Sequence, residues 1–359
     1  MEKAKEYMEY AVGQDASDLF IVAGKPISMR LNGNIVEIES KKLIMSEASR
    51  LINEIYAMNN KTLKTTTLTI DDIFSFSLSG LARFRVTVYK QRGSLAAVIR
   101  IIKFGIPDYK EIGIPDNIMR ITDAVNRGLV IVTGPSGCGK TTTVACLVDA
   151  INSNKKKHII DIEDTIEFIH KNKEGIVSQR EVDVDTVSYA TALNTSLKQS
   201  PDVLVIGELT DAKTVQAALK VAENGHLVIS TMYTMGLKNS VTTLIEMFPE
   251  DERARVRSQL SRLLKVVISE YLLTSVDGTK IPVFQSVKVD QNVKRMIKDN
   301  NYDNLEDTIN NNNKRIGFMS MHESINELFN SGRISEDEAL HGDMTYEELL
   351  NEWVGGYRC

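Results

Sequence analysis

The amino-acid sequence predicts an α/β protein in which a small α+β domain precedes a larger domain built on a parallel sheet. After residue 118, short and fully apolar runs alternate with amphipathic segments. This alternation is typical of parallel strands that are covered by helices on both faces. Before residue 104, strand-like runs are separated by turn signals, which predicts an antiparallel sheet. The predicted boundaries are residues 1–103 for the first domain, 104–117 for a linker and 118–359 for the second domain.

The first domain is predicted to begin with a helix over residues 1–15 and to contain a second helix over residues 46–58. Its strands are predicted at residues 19–22, 28–31, 68–76, 83–89 and 96–102. Gln91, Arg92 and Gly93 fit a hairpin turn between the last two of these strands. Two glycines and two prolines cluster within residues 104–115, and this clustering predicts the linker.

The second domain is predicted to alternate strands and helices up to residue 231. Strands are predicted at 128–133, 158–162, 203–206 and 227–231, and helices at 141–152, 189–199 and 212–223. From residue 250 the chain is predicted to be mostly helical, beginning with a helix over 251–267. An added strand is predicted at 280–289, a loop around a short helix at 301–315, and a helical tail at 321–330 and 336–340.

Composition restricts the class of protein. The 359 residues are 42% hydrophobic and 25% charged with a net charge of −5, as in an ordinary globular protein. The acidic balance argues against a protein that wraps nucleic acid. The three cysteines have no CxxC spacing, so no zinc site is predicted and a reducing cytoplasm fits. No stretch reaches about 18 apolar residues, so any membrane contact is expected to be peripheral, with no transmembrane segment.

A complete phosphate-binding motif follows the strand predicted at 128–133 and opens the next helix, which is the context such a motif requires. It consists of Gly134, Pro135, Ser136, Gly137, Cys138, Gly139, Lys140 and Thr141, and Thr142 follows it. The glycines let backbone N–H groups converge on phosphate oxygens at a helix N-terminus. Lys140 is predicted to contact the β- and γ-phosphates of ATP, and the Thr141 hydroxyl to ligate Mg²⁺. The alternative is a chance glycine-rich turn.

Two acidic segments follow predicted strands. Glu208 comes after the strand at 203–206, and Glu163 lies in the acidic segment that closes the strand at 158–162. Ligands of α/β sheets bind at the carboxyl ends of the strands. Hydrolysis needs one carboxylate near the water and another near the metal, and Glu163 and Glu208 on neighbouring strands fit these two roles. The alternative is a pair of ordinary, solvated acids at strand ends.

Cationic and imidazole side chains are the remaining candidates. His226 precedes the strand at 227–231, where it could sense the γ-phosphate or simply pack through a hydrogen bond. Arg83 and Arg85 alternate onto one strand face of the first domain. With Arg92 and Arg100, they fit either a contact to the γ-phosphate or a salt-bridged sheet face.

The motifs resemble, over residues 15–340, the type IV pilus retraction motors, which are the PilT-like twitching-motility ATPases of the secretion ATPase superfamily. Five blocks occur in the family's order: Asp18-Leu19 with Gly24, Pro26, Arg30 and Gly33; Arg83-Phe84-Arg85 with the Gln91–Gly93 turn; the segment 162–170 with Gln179–Val182; the segment 200–208; and the segment 225–231.

The resemblance implies a PAS-like N-terminal domain, a RecA-like ATPase domain and assembly into a homo-hexamer. It implies that Glu163 is the general base, that Glu208 is a carboxylate on the Mg²⁺ side and that His226 is a structural sensor. It also implies that the arginines of the first domain contact the γ-phosphate. The expected partner is the inner-membrane platform protein of the pilus, and the expected location is the cytoplasmic face of that membrane.

The sequence departs from the family at three places. Thr210 replaces an arginine, Tyr233 replaces a second histidine, and residues 292–297 match the retraction motif only in part. These departures leave two alternatives open. One is a nucleotide-binding accessory subunit that turns over weakly and joins a paralogous motor. The other is a pilus assembly or type II secretion ATPase, although the four-cysteine insertion of many such motors is absent.

Overall fold

The computed structural model describes residues 2–31, 33–59, 71–102, 104–312 and 315–342. The chain divides into two compact units. Unit 1 comprises Met1–Gly105 with Glu167–Ile169, and unit 2 comprises Ile106–Ile166 with His170–Cys359. The division after Gly105 falls inside the segment predicted as a linker. Among the described residues, no helix is both long and apolar enough to cross a membrane.

Unit 1 is built on an antiparallel sheet, as predicted. Its described elements are α1 (Glu2–Gly13), β1 (Asp18–Val22), β2 (Pro26–Leu31), β3 (Asn34–Lys42), α2 (Met45–Met58), β4 (Asp71–Leu78), β5 (Ala82–Gln91) and β6 (Ser94–Ile102). The strand order is β3-β2-β1-β6-β5-β4. The core contains Phe84, Val86 and Val88 from alternate positions of β5, so the intervening arginines lie on the opposite face.

The unit 1 predictions differ from the structure at two strands. Strand β3 was not predicted because most of its residues are polar or charged, and nearly all are exposed, which suits an edge strand. The strand predicted at 68–76 begins at Asp71, and residues 68–70 lie outside the described residues. The predicted hairpin turn is confirmed: Arg92 and Gly93 have φ angles of 45° and 78°, as a type I′ turn requires.

Unit 2 contains a mostly parallel sheet. Its elements are α3 (Asp116–Met119), α4 (Ile121–Ala124), β7 (Gly128–Thr133), α5 (Lys140–Asn154), β8 (His158–Glu163), β9 (Ile176–Glu181), α6 (Tyr189–Ser196), β10 (Val203–Ile206), α7 (Ala212–Glu223), β11 (Leu227–Met232), α8 (Gly236–Glu246), α9 (Glu250–Leu263), β12 (Leu264–Thr274), β13 (Lys280–Lys288), α10 (Gln291–Asp299), α11 (Leu305–Asn312), β14 (Phe318–Met319), α12 (Met321–Asn330) and α13 (Glu336–Gly342).

The strand order is β14-β13-β12-β7-β11-β10-β8-β9 in the described part of the chain. Helices cover both faces of this sheet. Leu129 and Ile131 of β7 pack into one core cluster, while Val130 and Val132 pack into another that includes Leu147 of α5. This two-sided burial explains why the strands read as continuous apolar runs.

The prediction of a mostly helical chain after residue 250 is wrong in one important part. The helix predicted over 251–267 ends at Leu263, and β12 begins at Leu264. Strand β12 pairs in parallel with β7, so tertiary pairing overrides the helical periodicity of this segment. The consecutive β-branched residues Val266, Val267 and Ile268 favour that outcome. Strand β9 was also missed, because it lies at the sheet edge and is only partly buried.

Candidate functional site

The predicted phosphate-binding loop connects β7 to α5, and Gly134 starts it. Gly134 has a φ angle of 158°, and a Cβ atom there would lie 2.2 Å from the carbonyl oxygen of Glu270 on β12. Any other residue would therefore displace the strand beside the loop. Gly137 and Gly139 also have positive φ angles, and α5 begins directly at Lys140. The local sequence thus forms a tight turn at a helix N-terminus, as a phosphate site requires.

The side chain of Lys140 folds back into this loop. Its Nζ donates hydrogen bonds to the carbonyl oxygens of Gly134 at 2.9 Å and Pro135 at 2.7 Å. The same Nζ lies 4.1 Å from the ring centroid of Tyr233, which follows β11. Burial lowers the pKa of Lys140, while Cys138, Glu270 and Glu208 oppose that shift. Lys140 therefore occupies the loop with its charge held by carbonyl dipoles and an aromatic face.

The two predicted carboxylates come from neighbouring strands. Strand β8 ends at Glu163, Glu208 follows β10, and the two strands pair in parallel. Both residues therefore lie at the carboxyl edge of the sheet, the edge from which the phosphate-binding loop leaves β7. Burial and Asp164 raise the pKa of Glu208, while Lys140 lowers it. The structure thus brings Lys140, Glu163 and Glu208 to one edge of unit 2.

Gly207 precedes Glu208 at a position where the structure leaves no room for a side chain. A Cβ atom at Gly207 would lie 2.6 Å from the Tyr189 hydroxyl oxygen and 3.3 Å from Cα of Glu163. A side chain at this position would therefore collide with α6 and with the neighbouring strand. The Tyr189 hydroxyl accepts a hydrogen bond from the backbone N–H of Asp164 at 2.8 Å, which ties α6 to the acidic segment.

Asp161 lies two residues before Glu163 and is buried in β8. Burial raises the pKa of Asp161, while hydrogen bonds with Glu163 and Gln179 lower it. Nε2 of Gln179 donates to Asp161 at 2.9 Å. Alternate residues of a strand share a face, so the side chains of Asp161 and Glu163 lie on the same face of β8, where they form a hydrogen bond.

His226 lies at the edge of the sheet opposite to the phosphate-binding loop of unit 2, and the catalytic role predicted for it stays a prediction. It precedes β11, and its carbonyl accepts from the N–H of Gly128 at the start of β7. The six-residue strand β11 separates it from the phosphate edge by about 20 Å. Its Nδ1 forms a hydrogen bond with the carbonyl oxygen of Val221 at 3.1 Å. This contact fits the alternative interpretation of His226, a residue that packs through a hydrogen bond.

The predicted phosphate-contacting arginines all belong to unit 1. Arg85 lies opposite Arg100 in the sheet, and Arg100 lies opposite Asp18. The carboxylate of Asp18 is 3.5 Å from Nε of Arg100 and 3.4 Å from Nε of Arg30. Asp18, Arg30 and Arg100 thus form salt bridges on one face of the sheet, as the alternative interpretation of these arginines expected. Arg92 occupies the hairpin turn, Arg83 lies on the same strand face as Arg85, and a γ-phosphate contact by these arginines stays a prediction.

The two other departures from the family lie in unit 2. The exposed Thr210 donates from Oγ1 to Asp211 Oδ2 at 3.3 Å, and Asp211 caps α7. Residues 292–297 lie on α10, where Val293 and Ile297 are buried in the core and the residues between them are at least partly exposed.

A buried carboxylate beneath the loop was missed by sequence reasoning. Glu270 on β12 is 0% exposed and accepts a hydrogen bond from Oγ1 of Thr143 at 2.6 Å. The thiol of Cys138 lies 3.8 Å from the other carboxylate oxygen. Burial raises the pKa of Glu270 to about 7, although its hydrogen bonds and Lys140 oppose the shift. An acid inside an apolar run was the available signal, but a helical assignment of this segment hid it.

The donor groups at this edge fit a magnesium nucleotide. Thr141 stands half-buried in the first turn of α5, and Glu208 supplies a carboxylate. Mg²⁺ prefers hard oxygen ligands and is usually held by one or two protein groups together with phosphate oxygens and water. In the described residues, no group of three or more His, Cys, Asp or Glu side chains is placed to hold a metal ion.

Comparison with known proteins gives the family. The model of the family described as "Type II/IV secretion system protein" matches residues 2–339. The "Type IV pilus retractation ATPase PilT" of Pseudomonas aeruginosa is 34% identical over 334 residues, which cover 93% of this chain and 96% of that protein. The "Type IV pilus ATPase PilU" of the same organism is 31% identical over 341 residues, with 94% and 88% covered.

A solved structure agrees with these relatives. A crystal structure of the pilus retraction motor PilT with bound ADP superposes with a TM-score of 0.84 at 31% identity, covering 98% of this chain and 99% of that one. Its likeness supports the α/β fold with an N-terminal α+β unit and an ATPase unit. By its family match and its relatives, the chain belongs to the type II/IV secretion system proteins and is similar to the PilT-like pilus retraction ATPases.

Proposed function

We propose that this protein is a Mg²⁺-dependent ATPase motor of the pilus retraction type. The observation that carries the proposal is the single edge of unit 2 that holds Lys140, Glu163 and Glu208 beside a complete phosphate-binding loop. The similarity to PilT over more than nine tenths of both chains supports the same conclusion.

In this proposal the chain's own groups divide the work of hydrolysis. Lys140 exchanges its two carbonyl contacts for the β- and γ-phosphates of ATP. Glu163 accepts the proton of the attacking water, and the partly buried Glu208 orients the ligands on the metal side. Thr141 and Glu208 would hold Mg²⁺, which would supply charge neutralisation at the phosphate oxygens.

The assembly and its partners follow from the family resemblance. We infer a homo-hexamer in which Arg83, Arg85, Arg92 and Arg100 serve nucleotide phosphates. The proposed external partner is an inner-membrane platform protein, which would place the motor at the cytoplasmic face of that membrane.

Phosphate release by the purified protein tests the enzymatic part of the proposal. Mg²⁺-ATP should be hydrolysed by the wild type, and Glu208→Ala and Glu163→Gln should each reduce the rate by about 100-fold or more, as for other groups that act on developing charge. Glu167→Gln, an exchange in the same acidic segment, is the matched control. A wild-type rate no higher than that of Glu208→Ala would refute the proposal.

A second candidate function is a nucleotide-binding accessory subunit with weak turnover. The observation that favours it is the ring of Tyr233, which engages Lys140 at 4.1 Å where the family has a histidine. Thr210 also favours this candidate, because it is a neutral side chain at a position where the family has an arginine. This candidate predicts ADP and ATP binding with negligible hydrolysis alone and gain of activity with a paralogous motor. Robust hydrolysis by the isolated protein would reject it.

The direction of work is tested in cells. Deletion of the gene should leave pili present, often in excess, if the motor retracts them. Loss of all pili on deletion would instead assign the chain to assembly, and loss of protein export would assign it to secretion.

A further inference from the structure

Glu270 occupies a position directly below the phosphate-binding loop. On β12, the preceding residue Ser269 pairs with Thr133, the last residue of β7, so Glu270 stands level with Gly134. Its backbone carbonyl is the atom that excludes a Cβ at Gly134, and its Oε1 lies 3.4 Å from where a Cβ of Gly139 would be. Glu270 therefore lies against both ends of the loop, through its backbone carbonyl at Gly134 and through its carboxylate beside Gly139.

The surroundings of Glu270 supply little to balance a negative charge. The side chain lies in the apolar layer with Phe284 opposite it on β13. The titratable or charged groups that face it are the thiol of Cys138 from the loop and the ammonium of Lys140 from α5. Lys140 donates to the carbonyl oxygens of Gly134 and Pro135, and in the described residues no ion pair joins it to Glu270.

The thiol neighbours do not titrate near neutral pH. Burial raises the pKa of Cys138 to about 11 and that of Cys146 to about 12. The hydroxyl of Thr143 donates to the carboxylate and so favours its ionised form, while burial favours the neutral form. Glu270 is therefore a buried group whose charge changes near neutral pH at the floor of a site for polyanions.

Phosphate groups bound in the loop would shift the equilibrium between the ionised and neutral forms of Glu270 toward the neutral form. They add negative charge a short distance above the carboxylate, in a region of low dielectric where like charges repel strongly. They also draw Lys140 toward themselves, which removes the cation that favours the ionised carboxylate. Both effects favour the protonated form of Glu270 when nucleotide is bound.

We propose that Glu270 sets the charge of the phosphate-binding loop, and that nucleotide binding is coupled to proton uptake by this carboxyl group. The inference rests on the proposed nucleotide site and deepens it, because it makes affinity depend on pH through a positioning residue that need not touch the nucleotide. The proton comes from solvent and returns to it when the nucleotide leaves.

The test compares ADP binding by the full chain and by Glu270→Gln from pH 6 to pH 8.5. Affinity of the wild type should fall by about tenfold more than that of Glu270→Gln over this range, which corresponds to a shift of one pH unit in the titration of Glu270. The glutamine keeps an oxygen acceptor for Thr143 and has no ionised form. Repeating the titration with EDTA in place of Mg²⁺ removes metal coordination as the source of the difference.

Calorimetry in two buffers of different ionisation enthalpy at pH 7.5 gives a second readout. The wild type should take up a larger fraction of a proton on binding ADP than Glu270→Gln does. Parallel affinity profiles together with equal proton uptake would overturn the proposal.

A second variant keeps the carboxyl group and changes its environment. Thr143→Val removes the hydroxyl that favours ionisation, so the pH at which ADP affinity falls should move upward. An unchanged or lower midpoint in a variant with a native melting profile would contradict the proposal. A wild type that binds ADP without these differences refutes this inference alone, whereas a wild type that binds no ADP at any pH refutes the proposed function as well.

Discussion

The two edges of the unit 2 sheet differ in what their polar residues do. At the carboxyl edge, the charges of Glu208 and Glu270 act on Lys140, and all three side chains are partly or fully buried. At the amino edge, His226 bonds to a local carbonyl and Lys265 donates to the carbonyl of Arg262. Parallel strands send all their carboxyl ends to one side, so residues distant in sequence meet only there. The comparison separates residues expected to act on a ligand from residues that complete local turns.

The largest expected effect is a difference in ATP hydrolysis rate between variants at the two edges of the sheet. Lys140→Ala should lower the rate of ATP hydrolysis by about 100-fold or more, because it removes the cation for the transferred phosphate. His226→Ala, at the other edge, should change the rate by less than about threefold, since it removes one local hydrogen bond. Both rates are measured on folded proteins that elute at the same size as the wild type. A large loss in His226→Ala with native stability would remove the distinction between the edges.

The next effect is a pH-dependent stability difference at the carboxyl edge. The pKa of Glu270 is raised to about 7 in the folded protein. Its contribution to stability is therefore fully present below the unfolded pKa of about 4.3 and is lost as the pH rises through about 7. Relative to Glu270→Gln, the wild type should lose roughly 3 kcal/mol of unfolding free energy between pH 4.5 and pH 8.

Urea unfolding of the nucleotide-free proteins at several pH values measures this difference. Glu223→Gln is the matched control, because Glu223 is an exposed carboxylate near the amino edge that forms an ion pair with Arg262. Exposed pairs contribute at most about 1 kcal/mol. Equal pH dependence in the wild type and Glu270→Gln would show that Glu270 does not carry the effect.

A smaller effect, on stability, is expected at Gly207, where the end of β10 lies against Glu163 of β8. Gly207→Ala should destabilise the fold by about 1–3 kcal/mol, since its Cβ would lie 2.6 Å from the Tyr189 hydroxyl oxygen. Tyr189→Phe removes that oxygen, so the double variant should recover part of the loss. Thermal melts of the four proteins form a double-mutant cycle. Strictly additive losses would show that the Tyr189 hydroxyl is not the obstacle.

The smallest effect concerns the aromatic contact of Lys140. Tyr233→Ala should increase ADP affinity by a few-fold, because a cation–π contact of about 1 kcal/mol no longer competes with phosphate. Tyr233→Phe retains the ring and should stay close to the wild type. Weaker ADP binding by Tyr233→Ala would mean that the ring supports the nucleotide instead of competing with it.

Sequence reasoning succeeded where local chemistry decides structure. The strand, loop and helix around Gly134–Thr141 were predicted because eight consecutive residues carry the turn and the charge. The antiparallel sheet of unit 1 followed from the alternation of strand-like runs and turn signals. It failed at β12, where pairing with β7 overrides helical periodicity.

By itself, the sequence determined the phosphate-binding loop, the alternation of strands and helices, and the family to which the motifs point. The tertiary structure decided which distant residues surround that loop. Glu270 is 127 positions from its partner Thr143, and the order β12-β7-β11 places Glu270 on one side of the loop and Tyr233 on the other. Strand order depends on burial of both sheet faces at once, which is a property of the whole core that no single segment of sequence contains.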